Sequence, residues 1–385
     1  SAWGYWSVGW LGNVSYLALF FKTLNDLLGE QALSPIQSFL IGSAILWFYY
    51  SILMSGVKEG AILNFIVTAA KLIPIVLIIV LAPSIFNREL FNIPEWQWEL
   101  ASTGASTTPA RQVGSAMAVV LWCFVGIEAA SVLSGRARKQ KAVRTATIIS
   151  TLFVLGIYML ITLAAMGSVP AVELGASETP LALVLERTVI GAAGGTIIKL
   201  GIMVSVLGAS LSWILLSVET MYAAARDGVM PRRLAKVNAK GTPVNALLLT
   251  QCFTQVFLLS ILSPSLNETY LAAITIATTL VLIPYLLSSL YAVKTAIQYK
   301  KEEKTYRNLV IALLGTFYSG YVIYAVGIQY LFLSVLFYGI GSLLFLQAKK
   351  EKRERPKSWE WAVIILLLSG SVWIAVRVLT GKIVF

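Results

Sequence analysis

A single carboxylate lies inside a long apolar stretch of this sequence. Glu128 falls within residues 112–134, which read QVGSAMAVVLWCFVGIEAASVLS. A charge at bilayer depth costs about 2.5–3.5 kcal/mol, so such residues usually mark the path of a solute or a proton. Gly126, two residues earlier, allows a helix to open and expose its backbone to a small solute. The pattern favours a transport site, and the alternative is a carboxylate that only pairs with a neighbouring helix.

A second charge, Lys71, lies in the apolar run 60–82, directly before Leu72, Ile73 and Pro74. A buried ammonium group can hold helices together and can titrate, so Lys71 is a second candidate for a functional role. The alternative is that its side chain snorkels to the membrane interface, although its depth in the run makes that awkward.

The composition excludes several classes of protein. The chain has no histidine, and its two cysteines, Cys123 and Cys252, lie in apolar runs, so neither a metal site nor a disulfide framework is predicted. It has no Walker loop and no GxGxxG motif. A nucleophile–base pair that would indicate a membrane enzyme is not visible within the apolar runs. We therefore expect no catalytic residue, no metal ion and no cofactor.

The elements that must position these charges are membrane-spanning helices. The chain is 58% hydrophobic and 12% charged, whereas soluble proteins carry about 25% charged residues. The apolar runs are near 20 residues long, too long for barrel strands, which predicts an all-α membrane protein. The eleven predicted spans cover residues 5–27, 37–56, 60–82, 112–134, 145–167, 193–223, 243–262, 270–293, 307–326, 328–348 and 359–377.

The 30 lysines and arginines are distributed unevenly between the loops. Most of them fall in alternate loops, at 136–144, 226–240, 294–307 and 349–357. This is the positive-inside pattern, which predicts that these loops are cytoplasmic in a multi-pass protein of the cell (inner or plasma) membrane. The net charge of +12 is thereby explained without a nucleic-acid partner. Because a span follows Ser1 directly, we also expect the sequence to be a fragment that lacks earlier spans.

Five segments together resemble the amino acid–polyamine–organocation superfamily of transporters. They are WSVGWLGNVSY (6–16), NFIVTAAKLIPI (64–75), LWCFVGIEAASVLSGRARK (121–139), LGASLSWILL (207–216) and AAARDGVMPRRLAKVNAKGTPVNA (223–246). Within the superfamily, the sequence is most similar to the basic amino acid/polyamine antiporters, and among these to the arginine/ornithine antiporters. The resemblance runs from residue 1 to the last span.

The resemblance implies a bundle of two inverted repeats of five helices, in which the first helix of each repeat is broken. Residues 1–385 would form one transmembrane domain, with 1–82 as the remainder of the first repeat. Residues 112–134 resemble the broken helix that opens the second repeat, which would cover 112–293, and 307–377 would be additional C-terminal spans. The first two helices of the family, including the other broken one, have no counterpart here.

The resemblance also assigns substrate contacts. Trp122 would cover the substrate as a gate, Trp213 would stack on its aliphatic portion, and Asn13 would lie near it. The backbone of the unwound region would line the cavity, and this region comprises Phe124, Val125 and Gly126. The alternatives are that the tryptophans are packing aromatics and that Asn13 serves a neighbouring helix, since an amide inside a span needs a partner.

A trio of side chains, Glu128, Tyr5 and Tyr285, matches the residues that close the cytoplasmic side of the site in these antiporters. Phenols can donate hydrogen bonds to an ionised carboxylate, and the cluster can loosen when that carboxylate is protonated. Lys71 would stand where sodium binds in other relatives. One departure is Ala277, since arginine/agmatine exchangers carry a serine there, which argues against agmatine as a substrate.

The function implied is exchange of a cationic amino acid for a related amine or amino acid, with arginine for ornithine as first choice, by alternating access. The alternatives are a proton-coupled importer of lysine or of amino acids in general and, more remotely, a non-transporting membrane subunit or receptor. The expected partners are small-molecule substrates and the lipid bilayer, without nucleic acid, and a homodimer is left open.

Overall fold

The structure, a computed structural model, describes residues 1–56, 72–91, 108–129, 140–177, 179–263, 265–298, 305–326 and 328–380. In these ranges the regular elements are helices, apart from an isolated bridge between Val237 and Pro243. The longer helices, in chain order, are α1 Ala2–Leu28, α2 Pro35–Ser55, α3 Leu72–Ile85, α4 Pro109–Phe124, α5 Gln140–Ser168, α6 Gly191–Arg226, α7 Val244–Leu258, α8 Leu266–Gln298, α9 Thr305–Val326, α10 Ile328–Glu351 and α11 Ser358–Leu379. Short helices cover Arg88–Phe91, Ala171–Ala176 and Pro180–Glu186.

These helices coincide with the predicted spans wherever the structure describes them. Seven helices in the described ranges (α2, α5, α6, α7 with the turn that follows it, α8, α9 and α11) are long and apolar enough to cross a membrane. The predicted span 60–82 is described only from residue 72, and the span 112–134 only as far as residue 129. The predicted all-helical class is confirmed, and helices of this length and composition are those of an integral membrane protein.

The helix α1 is the centre of the bundle. Every residue from 3 to 15 is buried, so all faces of this half of the helix are covered, and Trp6 and Trp10 are fully buried. A helix that is apolar all round is stable only inside a larger core, and α1 packs most extensively against α6 and α8. By contrast, α5 exposes most of its large apolar side chains, as expected for a helix that faces lipid.

The helix α2 begins where the sequence carries a complete start signal. The Ser34 hydroxyl accepts a hydrogen bond from the Gln37 N–H at 3.3 Å, and the Gln37 side chain accepts one from the Ser34 N–H at 2.9 Å. This capping box satisfies two backbone donors that a helix end would otherwise leave free, and Pro35 supplies a backbone angle suited to the first turn.

The seam between α1 and α6 is built from small residues. A Cβ atom added to Gly9 would lie only 1.5 Å from the Ser217 hydroxyl and 3.3 Å from the Trp213 carbonyl oxygen. Such small residues let two membrane helices approach closely. At the other end of the seam, Lys199 of α6 pairs with the Asp26 carboxylate of α1 at 3.0 Å. The seam therefore fixes α6, and with it Trp213, against α1.

Proline removes one backbone hydrogen bond from the second half of α8, and the helix continues through it. Pro284 has no N–H to donate to the carbonyl of Leu280, four residues earlier. That carbonyl instead accepts a hydrogen bond from the Tyr338 hydroxyl of α10 at 3.1 Å. A partner from a neighbouring helix makes the missing backbone bond tolerable in the bilayer. Tyr285 follows directly after this point.

The turn between α10 and α11 is fastened to the loop that follows α6. The Glu351 carboxylate accepts a hydrogen bond from the Arg232 N–H at 2.7 Å, and the Lys352 ammonium donates one to the Asp227 carbonyl at 3.2 Å. These contacts join the C-terminal helices to the central part of the bundle.

Candidate functional site

The helix that carries the intramembrane carboxylate opens just before it. The helix α4 ends at Phe124, and the chain turns through residues 125–128. Gly126 has φ +110°, a left-handed conformation that glycine adopts far more readily than other residues. The helix thus opens beside Glu128, at the glycine where the sequence predicts it.

Side chains satisfy two of the backbone groups next to this opening. The Cys123 carbonyl accepts a hydrogen bond from the Tyr158 hydroxyl of α5 at 2.9 Å. The Gly126 N–H donates to Glu128 Oε2, also at 2.9 Å. Polar backbone within a membrane must find partners inside the protein. Glu128 therefore caps the turn in which it lies.

The predicted trio of Glu128, Tyr5 and Tyr285 meets in the structure. The Tyr5 hydroxyl, from the first turn of α1, donates to Glu128 Oε1 at 2.6 Å. Tyr285, from α8, lines the same cavity as Tyr5 and Glu128. One Glu128 carboxylate oxygen thus accepts from the turn in its own segment, while the other accepts from α1. The turn and α1 are joined through a single side chain.

This trio lines a cavity of about 1010 Å³. Aromatic side chains form much of the wall, among them Trp3, Tyr338 and Trp359, and two further carboxylates, Asp227 and Glu360, contribute to it. Within the described part of the chain, neither a lysine nor an arginine side chain lines this cavity. The Glu360 carboxylate is already paired with Lys349 of α10 at 3.6 Å. Glu128 and Asp227 still make the lining acidic, and carboxylates and aromatic faces both attract cations, so the lining suits a positively charged solute.

The two predicted substrate-contacting tryptophans lie beside the opening rather than in the wall of that cavity. Trp213 of α6 is only 7% exposed, and a Cβ atom on Gly126 would lie 3.3 Å from its ring. The ring centroids of Trp213 and Tyr5 are 6.3 Å apart. Trp122 is half-buried, with its ring against α1 at Gly12. Trp213 thus lies between the opened turn and the tyrosine that contacts Glu128.

Asn13 is fully buried in the seam between α1 and α6. Its Oδ1 accepts a short hydrogen bond from the Ser210 hydroxyl, and its Nδ2 donates to the Gly9 carbonyl at 2.8 Å. Both ends of the amide therefore have protein partners, as expected of an amide inside a span.

The remaining predicted residues are distributed as follows. Phe124 packs edge-on against Tyr158, with ring centroids 5.4 Å apart, and Val125 is half-buried in the turn. Ala277, the departure from the family pattern, is fully buried in α8. Lys71 lies outside the described residues.

Sequence reasoning missed three tyrosines near the site. Tyr16 could have been found, because it lies eleven residues after Tyr5, about three helical turns, and therefore on the same face of α1. Tyr158 and Tyr338 donate to backbone carbonyls of other helices, and sequence spacing gives no signal for such contacts.

Comparison with known proteins agrees with this architecture. The profile described as amino acid permease matches residues 1–329. An arginine/ornithine antiporter from Pseudomonas aeruginosa is 37% identical over 363 residues, which cover 91% of this chain and 74% of that protein. A putative arginine/ornithine antiporter from Bacillus subtilis is 35% identical over 375 residues, covering 90% and 80%. An arginine/ornithine antiporter from Latilactobacillus sakei is 30% identical over 387 residues, covering 100% and 81%.

These relatives are transporters and not enzymes, as the sequence predicts, and the resemblance drawn from its motifs is confirmed. The match extends through the opened turn, both tryptophans and all three members of the Tyr5–Glu128–Tyr285 trio. The chain belongs to the amino acid permease family.

Proposed function

We propose that this protein is an antiporter that exchanges arginine for ornithine across the cell membrane by alternating access. The observation that carries the proposal is the Glu128 carboxylate, which accepts hydrogen bonds from both Tyr5 of α1 and the opened turn at Gly126. Relatives at 30–37% identity that are named arginine/ornithine antiporters support the choice of substrates. The acidic and aromatic lining of the adjoining cavity supports a cationic solute.

In this proposal, the substrate binds at the opened turn. The backbone of Phe124, Val125 and Gly126 faces the substrate, and Trp122 and Trp213 cover its stem. Asn13 lies near the substrate and holds α1 to α6 through its hydrogen bond from Ser210.

The Glu128 carboxylate with its two phenols, Tyr5 and Tyr285, forms the cytoplasmic gate. Protonation would remove the negative charge to which the Tyr5 hydroxyl donates, so the gate would loosen. Lys71 is proposed as a fixed positive charge in place of a bound sodium ion.

The proposed scaffold is the five-plus-five inverted repeat. Residues 1–82 belong to the first repeat, 112–293 form the second, and 307–377 are additional spans. The basic loops face the cytoplasm because cytoplasmic loops carry the excess of lysine and arginine.

The decisive test is exchange in liposomes. The full-length protein is reconstituted, the liposomes are loaded with ornithine, and entry of labelled arginine is followed. Uptake that requires internal ornithine and occurs without net proton movement is the expected result. Uptake into empty liposomes under a proton gradient would instead identify an importer. Absence of any uptake, with correctly inserted protein, would favour the non-transporting alternative.

A further inference from the structure

The turn between α10 and α11 and the loop that follows α6 form one basic surface, the basic face. Its two segments, residues 349–357 and 226–240, contain eleven lysines and arginines and three carboxylates, one of which, Asp227, lines the cavity described above. The hydrogen bonds between the two segments hold them together. The Lys352 stem also lies over Gly228, where an added Cβ atom would be only 1.9 Å from it. Charges far apart in the sequence are thus collected at one place.

The carboxylates of the turn already have partners in the protein. Glu351 accepts from the Arg232 N–H at 2.7 Å. Glu354 pairs with Lys349 at 3.1 Å, and Glu360 of α11 lies 3.6 Å from the same ammonium group. Within the part of the chain that the structure describes, six exposed basic side chains of the basic face form no salt bridge, and these are Arg232, Arg233, Lys350, Arg353, Arg355 and Lys357. They are available to an external anion.

Arg353 lies at a position where helices usually have glycine. The helix α10 ends in a Schellman motif, in which the Glu354 N–H donates to the Lys349 carbonyl and the Arg353 N–H to the Lys350 carbonyl, both at 3.0 Å. Arg353 has φ +58°, and among the described residues every other positive φ belongs to a glycine. A side chain is costly in this left-handed conformation. A charged, exposed residue kept at such a position points to a function.

An apolar stripe on α11 follows directly after the basic face. Trp361, Ile365 and Val372 recur at helical spacing and are all exposed. The helix α11 is apolar enough to cross a membrane, and tryptophan at the end of such a helix is typical of the headgroup level. A lipid whose phosphate contacts the basic face can therefore also place an acyl chain against α11, whereas a soluble phosphate can use only the charges.

We propose that the basic face binds the phosphate headgroups of anionic phospholipids and that Arg353 is a principal contact. Guanidinium groups form bidentate hydrogen bonds with phosphate, and basic clusters next to a span attract anionic lipids. The positive-inside pattern explains how many basic residues these loops carry. It does not require the two loops to be joined, or an arginine at a left-handed position. This binding is independent of the transported substrate.

The test is Arg353→Gly, which removes the charge and suits the backbone at that position. Binding of phosphatidylglycerol and of phosphatidylcholine to the full-length protein in detergent is measured by native mass spectrometry. We expect the unmodified protein to bind phosphatidylglycerol more tightly than phosphatidylcholine. In the variant, the apparent Kd for phosphatidylglycerol should rise about five-fold, and that for phosphatidylcholine less than about two-fold.

Thermal unfolding of Arg353→Gly separates loss of binding from loss of structure. The unfolding temperature should not fall, because glycine adopts the left-handed conformation more readily than arginine. Equal binding of the two lipids by the unmodified protein would overturn the proposal. An unchanged Kd for phosphatidylglycerol in the variant would overturn the role of Arg353 in it.

The matched control is Arg88→Gln, which also removes one exposed basic side chain. Arg88 lies at the opposite end of the bundle, since the neighbouring Asn87 N–H donates to the Gly167 carbonyl at the end of α5, and the basic face lies at the far end of the next long helix, α6. The Kd for phosphatidylglycerol should be unchanged. A rise as large as that of Arg353→Gly would show a general effect of charge and contradict a specific site.

Competition distinguishes a lipid from a soluble anion. Glycerol 3-phosphate carries the phosphate of the headgroup without acyl chains, and it is added in excess at constant ionic strength, because salt alone weakens contacts between exposed charges. Phosphatidylglycerol should remain bound. Complete displacement would assign the basic face to a soluble phosphate and overturn the proposal of a lipid site.

Discussion

Glu128 accepts hydrogen bonds from two groups that belong to different elements. One carboxylate oxygen holds the Gly126 N–H of the opened turn, and the other holds the Tyr5 hydroxyl of α1. An ionised carboxylate has acceptors on both oxygens, whereas a protonated one must donate from one of them. In the proposed gate, protonation of either oxygen would weaken the hydrogen bond that this oxygen accepts, which would couple the protonation state of Glu128 to the contact between the turn and α1.

Glu128→Gln should flatten the pH dependence of exchange, because an amide cannot gain or lose the proton on which the proposed gate depends. Initial rates of arginine–ornithine exchange are measured over a series of pH values. The control is Glu268→Gln, which removes an exposed carboxylate at the start of α8. A pH profile that Glu128→Gln leaves unchanged would rule out the gating role.

Gly126→Ala should weaken arginine binding about ten-fold. Its φ of +110° is unfavourable for alanine, and the added Cβ would lie 3.3 Å from the Trp213 ring, so the turn or the indole must shift. Gly156→Ala is the control, since a Cβ atom there meets nothing within 4 Å. Arginine binding by both variants is compared with that of the unmodified protein, and equal affinities would contradict the prediction.

At the scale of elements, the end of α4 and the missing backbone hydrogen bond in α8 are both compensated by side chains of other helices. Tyr158 of α5 binds the Cys123 carbonyl at the end of α4, and Tyr338 of α10 binds the Leu280 carbonyl that Pro284 leaves free. In each case a tyrosine supplies the donor that the helix itself lacks. The neighbouring helices therefore stabilise the places where α4 and α8 depart from regular helical hydrogen bonding.

Tyr338→Phe should destabilise the protein by about 1–3 kcal/mol, because the Leu280 carbonyl loses its donor inside the bundle. The midpoint of thermal unfolding in detergent should fall by several degrees. Tyr324→Phe provides the comparison, because Tyr324 is 83% exposed on α9. If the two variants unfold at the same temperature, the hydroxyl of Tyr338 does not support the proline break.

At the scale of the whole molecule, a buried central helix is surrounded by helices with apolar outer faces. The helix α1 contacts α6 and α8, which carry Trp213 and Tyr285. The outer helices, such as α5, expose apolar side chains that a bilayer would cover. The site therefore lies where the most buried helix meets the opened turn, which is consistent with binding near the midplane.

The predicted orientation can be checked by thiol labelling of intact cells in a Cys123→Ala, Cys252→Ala background. Val189 is exposed in the loop before α6, and Ala239 is exposed in the basic loop after it. Each is replaced by cysteine in a separate variant. A membrane-impermeant maleimide should label Val189→Cys and should label Ala239→Cys only after the cells are opened. The reverse pattern would invert the orientation.

The sequence by itself determined that the chain forms membrane-spanning helices and where most of them lie. A run of about 20 apolar residues must satisfy its backbone hydrogen bonds internally, and a helix does so without reference to the rest of the chain. The opening at Gly126 could also be predicted, since glycine and an intramembrane carboxylate are local signals. Family motifs then supplied Tyr5, Tyr285 and the two tryptophans.

Only the tertiary structure decided which side chains serve one another. It gave both ends of the Asn13 amide a partner, brought the Tyr338 hydroxyl to the carbonyl freed by Pro284, and placed the Tyr16 ring against Trp122. These partners are far apart in the sequence, and a hydrogen bond requires its atoms to meet within a few tenths of an ångström. Such distances follow from how the helices pack together, which no local pattern specifies.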